Sequence, residues 1–241
     1  MKEISIVIPF FNEEKIIIEK IDLIYSYLVK HFSEFEVIFV DDGSTDSSKR
    51  LAQSAITNLP HASFLSYLPN AGRGNAIHLG LAKAKGKIQG YMDVDLEIGL
   101  NNLKPALKKL SAADIVIASK FAPGAKVKTP MIRKISSMVF NILVNLILQT
   151  NVKDHQAGFK FFRKNVLNDI LELSQQKGWL WDIEILYLAK KKQYTVVELP
   201  VEITYGYRNL RKTFLLDFLK MPLFVVSLKR SVDKKFAYGK N

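Results

Sequence analysis

The chain has 241 residues, 48% of them hydrophobic, with no cysteine and a formal net charge of +12. The absence of cysteine excludes disulfides, thiolate metal sites and a cysteine nucleophile, while the apolar fraction is enough to bury one sizeable core. The positive charge points to an anionic partner: nucleic acid, a phosphate-rich substrate or an acidic membrane surface. No zinc-finger, leucine-zipper or aromatic RNA-binding spacing accompanies the lysines, which argues against nucleic acid.

Met1-Lys2-Glu3 leads straight into a strand over 4–9, without the charged start, apolar middle and cleavage site of a signal peptide, so a cytoplasmic location is expected. The polar cluster Phe10-Phe11-Asn12-Glu13-Glu14 follows, then an amphipathic helix over 15–30. A second strand over 35–40 ends in Asp41-Asp42-Gly43-Ser44-Thr45-Asp46, and helical spacing resumes over 47–56. This βαβα order predicts a mostly parallel sheet flanked by helices, with ligands beyond the carboxyl ends of the strands. A third strand over 64–68 leads to the glycine loop Asn70-Ala71-Gly72-Arg73-Gly74-Asn75-Ala76 and a helix over 76–84. Arg73 and the loop amides suit phosphate, although glycine before a helix also serves turn geometry alone.

A strand over 88–92 then delivers Asp93-Val94-Asp95-Leu96-Glu97. In an extended chain Asp93, Asp95 and Glu97 point the same way and converge on one cation, and hard oxygen ligands favour Mg²⁺ or Mn²⁺. The alternative reading is a loop of solvated acids.

A strand over 114–119 ends at Lys120, followed by a loop over 121–129 and a helix over 131–149. That helix is apolar but short of the ~20 residues a bilayer crossing needs; it fits core packing, or, with Arg133 and Lys134 at its start, a membrane surface. Asp154-His155-Gln156-Ala157-Gly158-Phe159-Lys160-Phe161-Phe162 is an unusual cluster, a charged pair around a glycine turn inside an aromatic run, whose purely structural reading is a β-hairpin corner. Asp182, in Trp181-Asp182-Ile183-Glu184, fits either a helix cap or a site residue. An edge strand over 196–203 carries Pro200, residues 205–212 add Arg208, and an amphipathic helix over 213–228 is expected to dock on the body or touch a membrane.

In this order, Ile8-Pro9-Phe10-Phe11-Asn12-Glu13, Val40-Asp41-Asp42-Gly43-Ser44-Thr45-Asp46, the glycine loop, Asp93-Val94-Asp95, Asp154 to Lys160 and Trp181-Asp182-Ile183-Glu184 resemble the family 2 glycosyltransferases of the GT-A fold. The likeness is greatest to the dolichyl-phosphate glucosyltransferases and mannose synthases. The resemblance implies a catalytic domain over 1–212 with an amphipathic extension over 213–241. It also implies an inverting transfer of a hexose from a nucleoside-diphosphate sugar to a polyprenyl (dolichyl) phosphate.

The resemblance places the sugar nucleotide on Pro9, Asn12, Glu13, Asp41, Asp42, Arg73, Gly74 and Asp93, and a divalent cation on Asp93 and Asp95, with Glu97 a further candidate ligand. Acceptor phosphate falls to Lys120, Arg133, Ser137, Lys160 and Arg208. Asp93, Asp95, Lys120, Lys160 and Asp182 form the catalytic set. Three positions depart from the family pattern: Lys120 where arginine is usual, Glu97 where mannose synthases often have glutamine, and Leu210-Arg211-Lys212-Thr213 where Gly-x-Ser-Lys is typical. Because a phosphate monoester is already largely ionised near pH 7, its attack needs little help from a base, and Asp182 is not required as one. An enzyme acting on a soluble or glycan acceptor, which would use such a base, is the alternative; a non-enzymatic nucleotide-binding module is a remote one. Peripheral attachment to the cytoplasmic face of a membrane is expected, and the pattern leaves room for an integral membrane partner or a homo-oligomer.

Overall fold

Strands β1 (Ile4–Phe10) and β2 (Phe35–Asp41) are buried along almost their whole length, as near-continuous apolar runs are when helices cover both faces of a parallel sheet. They belong to a computed structural model that describes residues 3–204 and 214–238. With β3 (Ala62–Ser66), β4 (Ile88–Met92), β5 (Ile115–Ser119), β7 (Phe159–Arg163) and β8 (Val196–Pro200) they form a seven-stranded sheet in the order β3-β2-β1-β4-β7-β5-β8. The pairs β1/β2, β2/β3, β1/β4 and β5/β8 are parallel. Only β7 runs against its neighbours, antiparallel to both β4 and β5.

Two cores lie on opposite faces. Helices α1 (Ile17–His31), α2 (Ser48–Ile56) and α4 (Leu103–Lys109) cover one face, on which Ile6, Ile8, Met92 and Phe161 are buried. Helix α1 meets it with Ile17, Ile21, Ile24 and Leu28, spaced for one face of a helix. Helices α3 (Arg73–Lys83), α5 (Met131–Leu148), α6 (Lys164–Leu173), α7 (Trp181–Lys191) and α8 (Phe214–Tyr238) cover the other, over Val7, Tyr91, Ile117 and Phe162. Strand periodicity of two makes Tyr91 and Lys160, paired across β4 and β7, share this second face.

Several expected elements are corrected. The third strand lies at 62–66 instead of 64–68. Helix α3 begins at Arg73, three residues earlier than its spacing implied, because Asn75 and Ala76 already bond back to the Gly72 carbonyl; Gly72 takes a φ of 98° to permit it. Residues 154–162 are no hairpin corner: they are a loop followed by β7 in the middle of the sheet. The chain after Met92 does not stay extended but turns, with Leu96 donating to the Asp93 carbonyl and adopting a φ of 56°. Alternation therefore does not align Asp93, Asp95 and Glu97. The expected edge strand over 196–203 divides near Pro200 into β8 and β9 (Glu202–Thr204), and β9 pairs in parallel with β6 (Lys126–Lys128) inside the expected loop over 121–129.

The amphipathic C-terminal helix, α8, extends to Tyr238 and docks on the body through Met221, Val225, Leu228 and Val232. Tyr187 and Lys191 on α7 fasten it through Asp233, each at 2.6 Å. Glu184, 1% exposed, is structural. Its carboxylate accepts from the backbone of Gln175 and Gln176 and from the Ser174 hydroxyl, holding the chain that leaves α6.

Candidate active site

The strand order reverses between β1 and β4: β2 and β3 lie on one side of β1, and β4 lies on the other. Such a switch point opens a crevice beyond the carboxyl ends of the strands. A cavity of about 410 Å³ occupies it, lined by the β1 end (Pro9, Phe10, Phe11, Glu13), Asp42, the glycine loop (Asn70, Gly72, Arg73) and Asp93-Val94-Asp95.

Three loops are laced together behind this wall. Asp42 Oδ1 accepts from the Ala71 and Gly72 amides, each at 3.0 Å, and from the Tyr67 hydroxyl at 2.6 Å. Asn12 accepts from the Thr45 amide at 2.8 Å and gives its own N–H to Ser44 Oγ at 2.9 Å. Asp41 is fully buried and turned inward, accepting from the Ser44 amide and the Ser66 hydroxyl. Gly74 is a packing position, since a Cβ there would lie 2.4 Å from Trp181 Cβ. Of the expected sugar-nucleotide residues, the structure brings Pro9, Glu13, Asp42, Arg73 and Asp93 to the cavity wall, while Asn12, Asp41 and Gly74 shape the loops around it.

Behind the wall, on the second sheet face, runs a chain of charges that is buried at Lys160 and Asp182 and half-buried at Arg73 and Asp93. Arg73 bridges Asp93, with Nη2 at 2.7 Å, and Asp182, with Nη1 at 2.5 Å. Asp182 also accepts from Lys160 Nζ at 2.6 Å and from the Tyr91 hydroxyl. Lys160 is fully buried and donates in addition to the Ala157 carbonyl at 2.8 Å. The Tyr91 ring lies 5.4 Å from both the Arg73 guanidinium and the Lys160 ammonium. Burial would raise the Asp182 pKa, but Lys160 and Arg73 override it and hold the carboxyl below its ordinary value. Burial lowers that of Lys160 against the pull of Asp182. Burial also lifts the Asp93 carboxyl; Arg73 works the other way and Asp95 adds to the rise.

Asp182 therefore does not cap α7, whose start carries no side-chain cap. It neutralises the buried Lys160 ammonium and the half-buried Arg73 guanidinium. Lys160, expected at the acceptor, faces Asp182 instead of the cavity wall. Lys120 holds Asp154 through its backbone amide at 3.1 Å and its ammonium at 3.3 Å. The Ser137 carbonyl accepts from Asn141 Nδ2 at 2.9 Å. Arg208 and the side chain of Arg133 lie outside the described residues.

Asp93 and Asp95 reach the cavity together, whereas Glu97 does not line it and bonds through its amide to Asp95 Oδ1 at 3.1 Å. Among the described residues no group of three or more His, Asp or Glu gathers for a metal. A pair of carboxylates facing a cavity nevertheless fits Mg²⁺ or Mn²⁺, which take one or two carboxylates and complete their shell with substrate phosphates and water.

Two residues of the site escape a reading of the sequence. Tyr91 was findable, standing two residues before Asp93 on the same strand face, whereas Gly158 shows no local sign beyond that of a turn glycine.

The glycosyl transferase family 2 profile matches residues 5–171. The chain belongs to glycosyl transferase family 2. Among its relatives in this family, glycosyltransferase AglD of Haloferax volcanii is 27% identical over 204 residues, covering 83% of this chain and 33% of that protein. The dolichyl-phosphate beta-glucosyltransferase of Saccharomyces cerevisiae is 28% identical over 256 residues, covering 95% of this chain and 72% of that protein. The chain thus spans only a third of the length of the Haloferax relative. Glucosyl-3-phosphoglycerate synthase from Mycobacterium tuberculosis, solved with Mn²⁺, uridine diphosphate and phosphoglyceric acid, superposes with a TM-score of 0.71 at 20% identity, over 96% of this chain and 78% of that one. The fold is of the GT-A type.

Proposed function

We propose that this family 2 chain transfers a hexose, with inversion, from a nucleoside-diphosphate sugar to a polyprenyl (dolichyl) phosphate at a membrane surface. The observation that carries the choice of acceptor is the state of Asp182. A general base needs a free lone pair and a pKa near the working pH. Asp182 is ill suited to that role: Lys160, Arg73 and Tyr91 occupy three of its roughly four lone-pair positions, and its pKa is depressed. A sugar or protein hydroxyl would require such a base. An acceptor phosphate does not, because its second ionisation lies at about pH 6.

In this reading the sugar nucleotide lies along the cavity between β1 and β4, its diphosphate near Arg73 and the Asp93/Asp95 pair. A divalent cation on those carboxylates would neutralise charge on the departing diphosphate. The acceptor phosphate oxygen forms a bond to the anomeric carbon as the bond to the diphosphate breaks, and no proton has to move. Lys120, held by Asp154, stands ready to offset the two anions, with Arg133, Ser137 and Arg208 as further acceptor-side candidates.

The acceptor's lipid tail accounts for an outer stripe on α5: Met131, Ile132, Ile135, Met138, Ile142 and Leu146 are all exposed, at helical spacing. Leu223 and Phe224 of α8 are exposed as well. No helix among the described residues is long and apolar enough to cross a membrane. Peripheral seating of this stripe, on the cytoplasmic face, is the attachment we infer. The deciding experiment offers the purified chain radiolabelled UDP-glucose and GDP-mannose with a polyprenyl phosphate. Label passing into the lipid phase is expected from one donor; transfer solely to soluble or glycan acceptors would overturn the reading.

A further inference from the structure

Helix α5 is bound to the active site by a route that leaves its apolar stripe untouched. The chain leaves α5 through Gln149, in the left-handed conformation with a φ of 53°, and then folds back along the helix. Asn145 Nδ2 donates to the Val152 carbonyl at 2.6 Å, and the Thr150 hydroxyl lies 2.9 Å from Asn145 Oδ1 and 2.7 Å from His155 Nε2. Asn141 Oδ1 accepts from the His155 backbone N–H at 2.9 Å and lies 2.8 Å from His155 Nδ1. Asn141 is 5% exposed and His155 fully buried. Asn141 and Asn145 stand four residues apart, on the inner side of the helix that carries Ile142 and Leu146 on its outer side.

The other side of the same loop grips the site. Asp154 holds the Lys120 amide and ammonium, the Ala157 carbonyl receives Lys160, and the Gly158 carbonyl receives the Asp93 amide at 2.9 Å. Residues 150–158 are thus bonded on one side to α5 and on the other to Lys120, Lys160 and Asp93. A shift of α5 has to be taken up either by breaking buried hydrogen bonds, each leaving an unsatisfied polar group, or by moving the loop with it.

We propose that Asn141 and His155 are positioning residues that couple seating of α5 on a lipid surface to the placement of Lys120 and Asp93. Neither touches substrate in this scheme; they act through Asp154 and Gly158. The inference rests on the reading of α5 as the lipid-facing helix and of the acceptor as a phosphate.

The test uses a short-chain, water-soluble polyprenyl phosphate as acceptor, so that turnover is measured with and without acceptor-free anionic vesicles. For the wild type, vesicles should raise kcat about tenfold. Asn141→Ala should float with the vesicles as the wild type does, keep its KM for the sugar nucleotide within about threefold, and lose the vesicle-dependent rise. Asn141→Asp keeps the Oδ1 acceptor but loses the Nδ2 donor to the Ser137 carbonyl, so it should restore only part of the rise. Asn141→Ala/His155→Ala should lose no more than Asn141→Ala, since the two residues belong to one link. Should Asn141→Ala fail to fold, His155→Ala alone, which keeps the backbone bond and removes only the ring contacts, should still lose part of the vesicle-dependent rise. Retention of vesicle activation by folded variants, or a wild type that binds vesicles without activation, overturns the coupling. A wild type that transfers to no phosphate acceptor in either condition overturns the proposed function instead, and a lower melting temperature with unchanged kcat ratios makes the link merely structural and overturns the proposal.

Discussion

A Cβ placed on Gly158 would sit 1.8 Å from Oδ2 of Asp93. The first residue of the Asp-x-Asp is thus positioned by a glycine 65 positions later in the chain, which leaves the room a carboxylate needs at that rim and also accepts the Asp93 amide. Gly158→Ala should displace the carboxylate without opening the core. Transfer is expected to fall at least about 100-fold, the cost associated with misplacement of about 1 Å at a reacting centre. Steady-state rates together with a near-wild-type melting curve check this.

Asp182→Ala should destabilise the protein by about 3–5 kcal/mol, because it leaves the fully buried Lys160 ammonium without its carboxylate, whereas the half-exposed Arg73 keeps Asp93. Adding Lys160→Met should recover part of the loss by removing the stranded cation. Urea denaturation of the double variant and of each single variant, Lys160→Met included, measures both; additive effects would show that the pair is not coupled.

His155 gives the fold a dependence on pH. Burial, and then the positive charge of Lys160, hold its pKa down to about 3, against 6.5 for an ordinary histidine. Between those values the unfolded chain takes up a proton that the folded chain refuses, so stability present above pH 6.5 is lost as pH falls toward 3. The contribution between pH 7 and pH 5 is about 2 kcal/mol. His155→Gln should flatten the stability profile over that interval, as read by denaturant titrations at the two pH values.

Asp95→Ala should abolish transfer, and exhaustive chelation of the wild type should do the same until Mg²⁺ or Mn²⁺ is restored. Isothermal titration of the cation with the nucleotide present should show binding in the wild type and none in the variant. Full activity after chelation would remove the cation from the proposal.

Leu146 and Ile142 are 70% and 51% exposed, so Ile142→Glu/Leu146→Glu should cost little stability while placing acids in the stripe. Flotation with anionic vesicles is expected to be lost. Undiminished flotation would move the membrane contact elsewhere on the surface.

Much of the site could be read from local pattern alone. The runs at β1, β2 and β4 announce themselves by apolar content, the polar residues that follow mark their carboxyl ends, and a βαβα order is enough to put those ends on one rim. Pro9, Glu13, Asp42, Arg73, Asp93 and Asp95 are therefore identifiable as neighbours before any coordinates. Boundaries are less secure wherever glycine sets them, as at Gly72, whose carbonyl starts α3 early.

The roles of the later motifs are not legible in that way, because they depend on sheet pairing between distant segments. Nothing in Phe159-Lys160-Phe161-Phe162 specifies that it inserts antiparallel between β4 and β5. That reversal starts β7 at the rim where β4 and β5 end, bringing Gly158 to Asp93 and Lys160 beside Tyr91. Asp182 likewise fits either a helix cap or a site residue from its position at the head of α7, and only the packing of α3 and α7 on one sheet face gives it Arg73 and Lys160 as partners. Elements, rim and family follow from periodicity and from the order of the motifs, both of which are properties of neighbouring residues. Which charges neutralise one another, and which remain for chemistry, follows from burial and pairing, and those are set by contacts between segments far apart in the chain.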